Sequence, residues 1–124
     1  MLYLASEKGQ RTIKIGFTSN PAKRMNDYLT HSTVTQFIDW KEGTQEEEKE
    51  WHVTLEFLGF ERVDPERERS EWFFLPAEIS KRELLKDGFQ CLEKFIDGKW
   101  DEFIKKIESL WRLLFFLQKS VDKK

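Results

Sequence analysis

The stretch LYLASEKGQRTIKIGFTSNPAKR, residues 2–24, decides the fold class. Residues 2–6 and 12–17 read as two β-strands. The polar Glu7-Lys8-Gly9-Gln10 segment between them is a turn, which makes the pair an antiparallel hairpin. Asn20 followed by Pro21 marks a helix start: a side-chain cap, then proline at the first helical position, where its missing N–H costs nothing. This helix is expected to run to about Leu29, with Ala22, Met25 and Leu29 on its core face and Arg24 pointing away from them.

Downstream, residues 34–40 read as a third strand with Val34, Ile38 and Trp40 on one face. Thr44-Gln45-Glu46-Glu47 fits a capping box and opens a glutamate-rich helix over residues 45–58, which Gly59 ends. At 3.6 residues per turn, Glu48, Trp51, His52 and Leu55 share the inward face of that helix, and Glu46, Glu47 and Glu50 form a solvated one. An acid on the inward stripe costs free energy unless a cation, a metal or hydrogen-bond donors pair with it, so Glu48 looks placed for a purpose. Residues 64–70 are polar and read as a loop, and residues 71–75 as a short buried segment with some strand character.

From Ala77 the pattern changes. Ser80-Lys81-Arg82-Glu83 is a second capping box, followed by Leu84, Leu85, Leu92, Phe95 and Ile96 at helical spacing. Asp97-Gly98 is expected to break the run. Trp100, Phe103, Ile104, Ile107, Trp111 and Leu114 then mark another amphipathic helix, so the two would form a helical hairpin. Residues 110–117 are apolar on more than one face, which calls for burial on several sides and suggests a homodimer through these helices. The expected architecture is α/β of the α+β kind: a small three-stranded antiparallel sheet flanked by helices. Residues 1–76 form its core and residues 77–124 the C-terminal hairpin.

Composition narrows the function. The single cysteine, Cys91, excludes an internal disulfide framework and a cysteine-rich zinc site, which suits a reducing, cytoplasmic setting. No N-terminal segment resembles a signal peptide, and the longest apolar run, residues 113–117, is far too short to span a bilayer. The net charge of −2 argues against gripping nucleic acid by bulk electrostatics, although residues 1–43 carry six basic against four acidic side chains.

Five elements stand in order: Tyr3, then Lys14-Ile15-Gly16, then Arg24, then Glu48 with His52, then Glu71-Trp72-Phe73. Their order and spacing resemble the GIY-YIG nuclease superfamily over residues 1–76, specifically a short phage-type branch. In that branch the second motif often reads Lys-Ile-Gly, and a Glu-Trp-Phe closes the core. The chain departs from the pattern in keeping only the tyrosine of the first signature and in placing Lys14 where most members have a second tyrosine.

The resemblance implies hydrolysis of a phosphodiester by in-line attack of water, aided by one divalent cation. Glu48 would hold Mg²⁺ or Mn²⁺, a hard ion for which one carboxylate can suffice; the alternative is a buried acid bridged to Arg24 or Lys14. Arg24 would stabilise charge on the transferring phosphate, though taken alone it is an ordinary surface arginine. Tyr3 would orient or deprotonate the water, or simply pack as a strand aromatic. Lys14 would contact phosphate, or act as a base if its pKa were lowered.

His52 could accept a proton, contact phosphate or position Glu48, against the alternative of a hydrogen-bonded core histidine. Gly16, Tyr28, His31 and Glu71 complete the expected surroundings: Tyr28 lining the cleft or packing, His31 in the loop after the first helix, Glu71 bonding to backbone or to Lys14. The expected activity is that of a metal-dependent endonuclease, acting on DNA rather than RNA. Its rivals are a catalytically silent module that binds nucleic acid or protein through the same cleft, and an interaction protein working through its C-terminal helices.

Overall fold

The first hairpin forms as its residues dictate. In a computed structural model, which describes residues 1–31, 34–64 and 71–122, β1 (Leu2–Glu7) pairs antiparallel with β2 (Thr12–Phe17). Gly9, with φ of 74°, supplies the left-handed backbone of the turn. The sheet is four-stranded rather than three-stranded. β3 (Thr35–Lys41) pairs with β1, and β4 (Trp72–Phe74), cut from the 71–75 segment, pairs with β2, giving the antiparallel order β3-β1-β2-β4. Residues 65–70 of the expected polar loop lie outside the described residues.

Leu2, Tyr3, Leu4, Ala5 and Ser6 are all buried, so both faces of the central strand are covered. The covers are α1 (Pro21–His31) and α2 (Gln45–Phe57). Tyr28 of α1 meets Tyr3 and Phe37, whereas His52 of α2 meets Phe73. Tyr3 pairs with Gly16, and Phe73 pairs with Ile13, whose side chain points to the other face, so the two helices lie on opposite sides of the sheet. Thr44 caps α2 by accepting from the Glu47 N–H, and Asn20 caps α1 by accepting from the Lys23 N–H.

Three expectations are corrected. In α1 the residues turned inward are Pro21, Arg24 and Tyr28, whereas Ala22, Met25 and Leu29 are exposed. The helix lies over the aromatic and polar groups of β1 and β2, and the apolar spacing alone picked the wrong face. In β3 the register slips between the partners of Leu4 (Asp39) and Ala5 (Phe37), so Ile38 is an extra, bulged residue. The bulge brings Phe37 and Trp40 onto one face, where strict alternation would separate them, and their rings stack at 5.1 Å.

The C-terminal hairpin is also absent. α3 (Lys81–Asp87) ends at Gly88, and α4 (Phe89–Asp122) runs 34 residues straight through Asp97-Gly98. The break falls at Gly88 because its φ of 59° suits glycine, and because the Asp39 carboxylate occupies the space a Cβ would need, 2.4 Å from its Oδ2. Asp39 then accepts the Phe89 N–H at 3.0 Å and so caps the long helix from β3. Gly98 has only open space around its Cβ position and is carried within the helix.

The chain divides into two compact units, Met1–Leu92 and Glu93–Lys124. In the first, Arg11 donates to the Pro76 and Ile79 carbonyls, and Lys81 donates to those of Glu7 and Gln10, tying the segment before and into α3 to the first hairpin. Among the described residues, no helix is long and apolar enough to cross a membrane.

Candidate functional site

Tyr3 lies at the centre of the site. Its ring meets Phe37 and Trp40, each at 5.5 Å, and lies directly over Gly16, where an added Cβ would sit 2.3 Å from the ring. Glycine is needed there for close approach, which explains the Lys-Ile-Gly sequence in packing terms. Burial first, then the hydrogen bond with Tyr28, push the Tyr3 phenol well above its ordinary pKa; Arg24 acts in the opposite direction. Tyr3 therefore keeps its proton at neutral pH.

Lys14, one pleat along the same face, donates from Nζ to the Tyr28 hydroxyl at 2.6 Å and pairs with Glu71 at 3.5 Å. Its ammonium also stands 5.4 Å from the Tyr28 ring centre and 5.9 Å from that of Tyr3. Tyr28 thus links the ammonium to the buried phenol, a larger part than packing.

Glu48 and His52 reach the site by a different physical route. On β2, β4 pairs only with Thr12, Ile13 and Lys14, so among the described residues no strand neighbours residues 15–17 on that side. Side chains of α2 take over the ladder. His52 Nε2 lies 2.7 Å from the Ile15 carbonyl, which fixes the donor on Nε2, and the Glu48 carboxylate accepts from the Phe17 backbone N–H. Glu48 is partly buried and also hydrogen-bonds Glu71. Burial and then the Glu71 charge raise its pKa, against the lowering effects of His52 and Phe17.

The Glu48 and Glu71 carboxyl groups, held side by side, form an oxygen-rich donor pair suited to a hard divalent cation. Among the described residues no group of three or more His, Cys, Asp or Glu side chains could form a fuller cage.

Arg24 is turned toward this cluster, and beside it opens a polar hollow of about 390 Å³ lined by Thr18, Ser19, Asn20, Lys23, Arg24 and Asp27. The structure therefore brings Tyr3, Lys14, Gly16, Arg24, Tyr28, Glu48, His52 and Glu71 to one end of the sheet. His31 is the last residue of α1 rather than part of the following loop, and its side chain lies outside what the structure describes.

Sequence reasoning missed Phe37 and Trp40, the bed for Tyr3, because the bulge hides their shared face. It also missed Lys23 and Asp27, although both sit three or four residues from Asn20 or Arg24 on the start of α1. That helical spacing was a usable signal.

A family model for the T5orf172 domain matches residues 1–95. The chain belongs to the T5orf172 domain family. The membership expected from motif order, in the GIY-YIG superfamily, is thereby corrected: the match is to the T5orf172 domain instead. The T5orf172 match does not stop at residue 76. It continues through α3 into the first turns of α4 and nearly coincides with the compact unit Met1–Leu92. No curated protein and no solved structure matches the chain.

Proposed function

We propose that this T5orf172 domain is a divalent-metal-dependent phosphodiesterase that cuts nucleic acid internally, with DNA as the favoured substrate. The observation that carries this reading is a linked cluster in which Glu71 joins the ammonium of Lys14 to the carboxyl of Glu48, the buried phenol of Tyr3 lies within electrostatic reach of Glu71 and Arg24, and Arg24 lines an open polar hollow. Such a set can bind a phosphodiester, hold a metal and direct a water, which are the requirements of hydrolysis by in-line attack.

Glu48, with Glu71 beside it, would hold Mg²⁺ or Mn²⁺. When bound, the cation supplies positive charge at the phosphate and acidity to water. Arg24 binds the phosphate oxygens through its planar guanidinium fork. Tyr3 keeps its proton and therefore orients a water or a phosphate oxygen rather than acting as the base. Tyr28 holds the Lys14 ammonium in register with it. His52 donates a hydrogen bond from Nε2–H to the Ile15 carbonyl, so it acts as a positioning residue that seats α2, and Glu48 with it, on the edge of β2.

The Lys14–Glu71 ion pair favours a second reading, in which the cleft is already neutralised and the domain binds nucleic acid without cutting it. One experiment separates the two. Wild type, Glu48→Ala and Arg24→Ala are incubated with supercoiled plasmid, linear duplex and single-stranded RNA, with Mg²⁺ or Mn²⁺ and with chelator. Metal-dependent cutting that falls by about 10²-fold or more in each variant is the expected result. Retarded migration with intact strands under both metals would replace the enzyme with the binding module. Neither cutting nor binding would dismiss both.

A further inference from the structure

The family match ends at residue 95, yet α4 continues as a helix to Asp122 with a large apolar surface open to solvent. From Ile96 and Trp100, through Phe103, Ile107 and Leu110, to Leu114 and Leu117, the steps between apolar residues are 4, 3, 4, 3, 4 and 3. That is an unbroken heptad seam, the pattern that seats one helix against another. It begins where the family domain stops. The exposure is large where a monomer would hide such residues: 59% for Leu110, 68% for Trp111 and 58% for Leu114.

We propose that residues 96–117 form a dimerisation helix that pairs antiparallel with the same helix of a second copy. This inference is independent of the phosphodiesterase reading. An antiparallel alignment centred between Glu108 and Ser109 sets Trp100 against Leu117 of the second copy, Phe103 against Leu114, and Ile107 against Leu110. Every seam position from 100 to 117 then has a seam partner, with each large aromatic opposite a smaller leucine, as close packing prefers. A parallel pair would stack Trp100 on Trp100 and Phe103 on Phe103.

The flanks point the same way. In a parallel pair Lys99 and Lys106 would face Ile104 and Trp111 of the second copy, whereas the antiparallel pair sets Ile104 against Trp111. Charge leans the same way, though weakly: residues 97–108 carry four acidic and three basic side chains, and residues 109–119 carry only Arg112 and Lys119. Area suffices. Trp100, Phe103 and Trp111 are 38%, 42% and 68% exposed, so at about 150–250 Å² each they still offer about a quarter to a half of the roughly 800 Å² per partner in a standard interface, and Ile104, Leu110, Leu114 and Leu117, each about half exposed, add to it. A lipid surface fits less well, since Asp101, Glu102, Lys105, Glu108 and Arg112 mix both signs on the opposite face, unlike the basic face of a membrane-lying helix.

Sedimentation equilibrium of the full chain across the micromolar range tests this. The expected species has twice the 15.0 kDa chain mass. Leu110→Glu should weaken association by about 100-fold or more. Lys105→Glu, on the outward face, should leave it unchanged. Far-UV circular dichroism and the melting transition of the domain check that Leu110→Glu still folds.

Orientation is read from disulfides. Phe103→Cys and Leu114→Cys should cross-link when mixed, and neither should cross-link with itself. A wild-type monomer throughout the range, a trimer or tetramer, self-cross-linking of Leu114→Cys alone, or a monomer that instead co-sediments with anionic vesicles would each overturn the proposal.

Discussion

Replacing Gly16 by alanine tests the placement of Tyr3 by sign as well as size. In an ordinary strand interior the change should stabilise by about 0.5–1 kcal/mol, because glycine loses more chain entropy on folding. Here the new methyl would lie 2.3 Å from both Cζ and Oη of Tyr3, and the ring has no retreat, with Phe37 and Trp40 each 5.5 Å away and Tyr28 at 6.3 Å.

Overpacking of this kind costs about 1–3 kcal/mol. Full expulsion of the ring would forfeit about 150–250 Å² of buried surface, an upper bound of about 4–6 kcal/mol at 25 cal/mol per Å². A net loss of about 2–3 kcal/mol is therefore expected, read as a fall of about 2 M in the urea midpoint at a slope near 1–1.5 kcal/mol/M. The same substitution in a Tyr3→Ala background should cost nothing or stabilise slightly, so the double-mutant cycle should show a coupling of about 2–3 kcal/mol. A neutral or stabilising Gly16→Ala in the wild-type background, or equal effects in both, would refute the account.

Three more outcomes follow from the same geometry. Gly88→Ala should destabilise by about 2–4 kcal/mol, through backbone strain and loss of the Asp39 cap, while Gly98→Ala should stabilise the long helix by about 1 kcal/mol; thermal melts followed at 222 nm would show the order reversed if the chain turned at Gly98. Asp39→Ala should cost about 1–2 kcal/mol by uncapping α4, with the melting temperature as readout.

Glu48 has a raised pKa, so its neutral form is the one the fold favours; the associated stability is present below its ordinary 4.5 and lost as pH rises through the folded value. Glu48→Gln should therefore melt higher than wild type at pH 8, with the gap closing in acid. Mg²⁺ at ten times its Kd should stabilise wild type by about 1.4 kcal/mol and leave Glu48→Gln unmoved.

Much of the local structure was written in the chain. Asn20-Pro21, Thr44 with Glu47, and Ser80 with Glu83 mark helix starts because capping is a contact between a side chain and amides two or three residues away. The hairpin of β1 and β2 is legible for the same reason, as is the inward face of α2, where Glu48, Trp51, His52 and Leu55 are the least exposed positions of their turns. Glu71 bonding to Lys14 was among the alternatives the sequence left open, and the 3.5 Å pair realises it.

Contacts between distant segments decided the rest. Periodicity counts apolar residues without knowing what lies opposite, so it chose Ala22, Met25 and Leu29 for the core, where the sheet presents Tyr3 and Lys14 and draws in Arg24 and Tyr28. The bulge at Ile38 resets the parity of β3, which no residue-by-residue alternation reveals. A glycine breaks a helix only where the neighbouring chain requires it. Asp39 fills the space beside Gly88 and captures the Phe89 amide; nothing crowds Gly98, and the helix runs through it. Likewise, the short reach of β4 leaves the edge of β2 open to Glu48 and His52. Sequence by itself determined the caps, the first hairpin and the chemistry in supply; tertiary structure decided where strands slip, where helices stop and which side chains meet, because those depend on atoms far apart along the polypeptide.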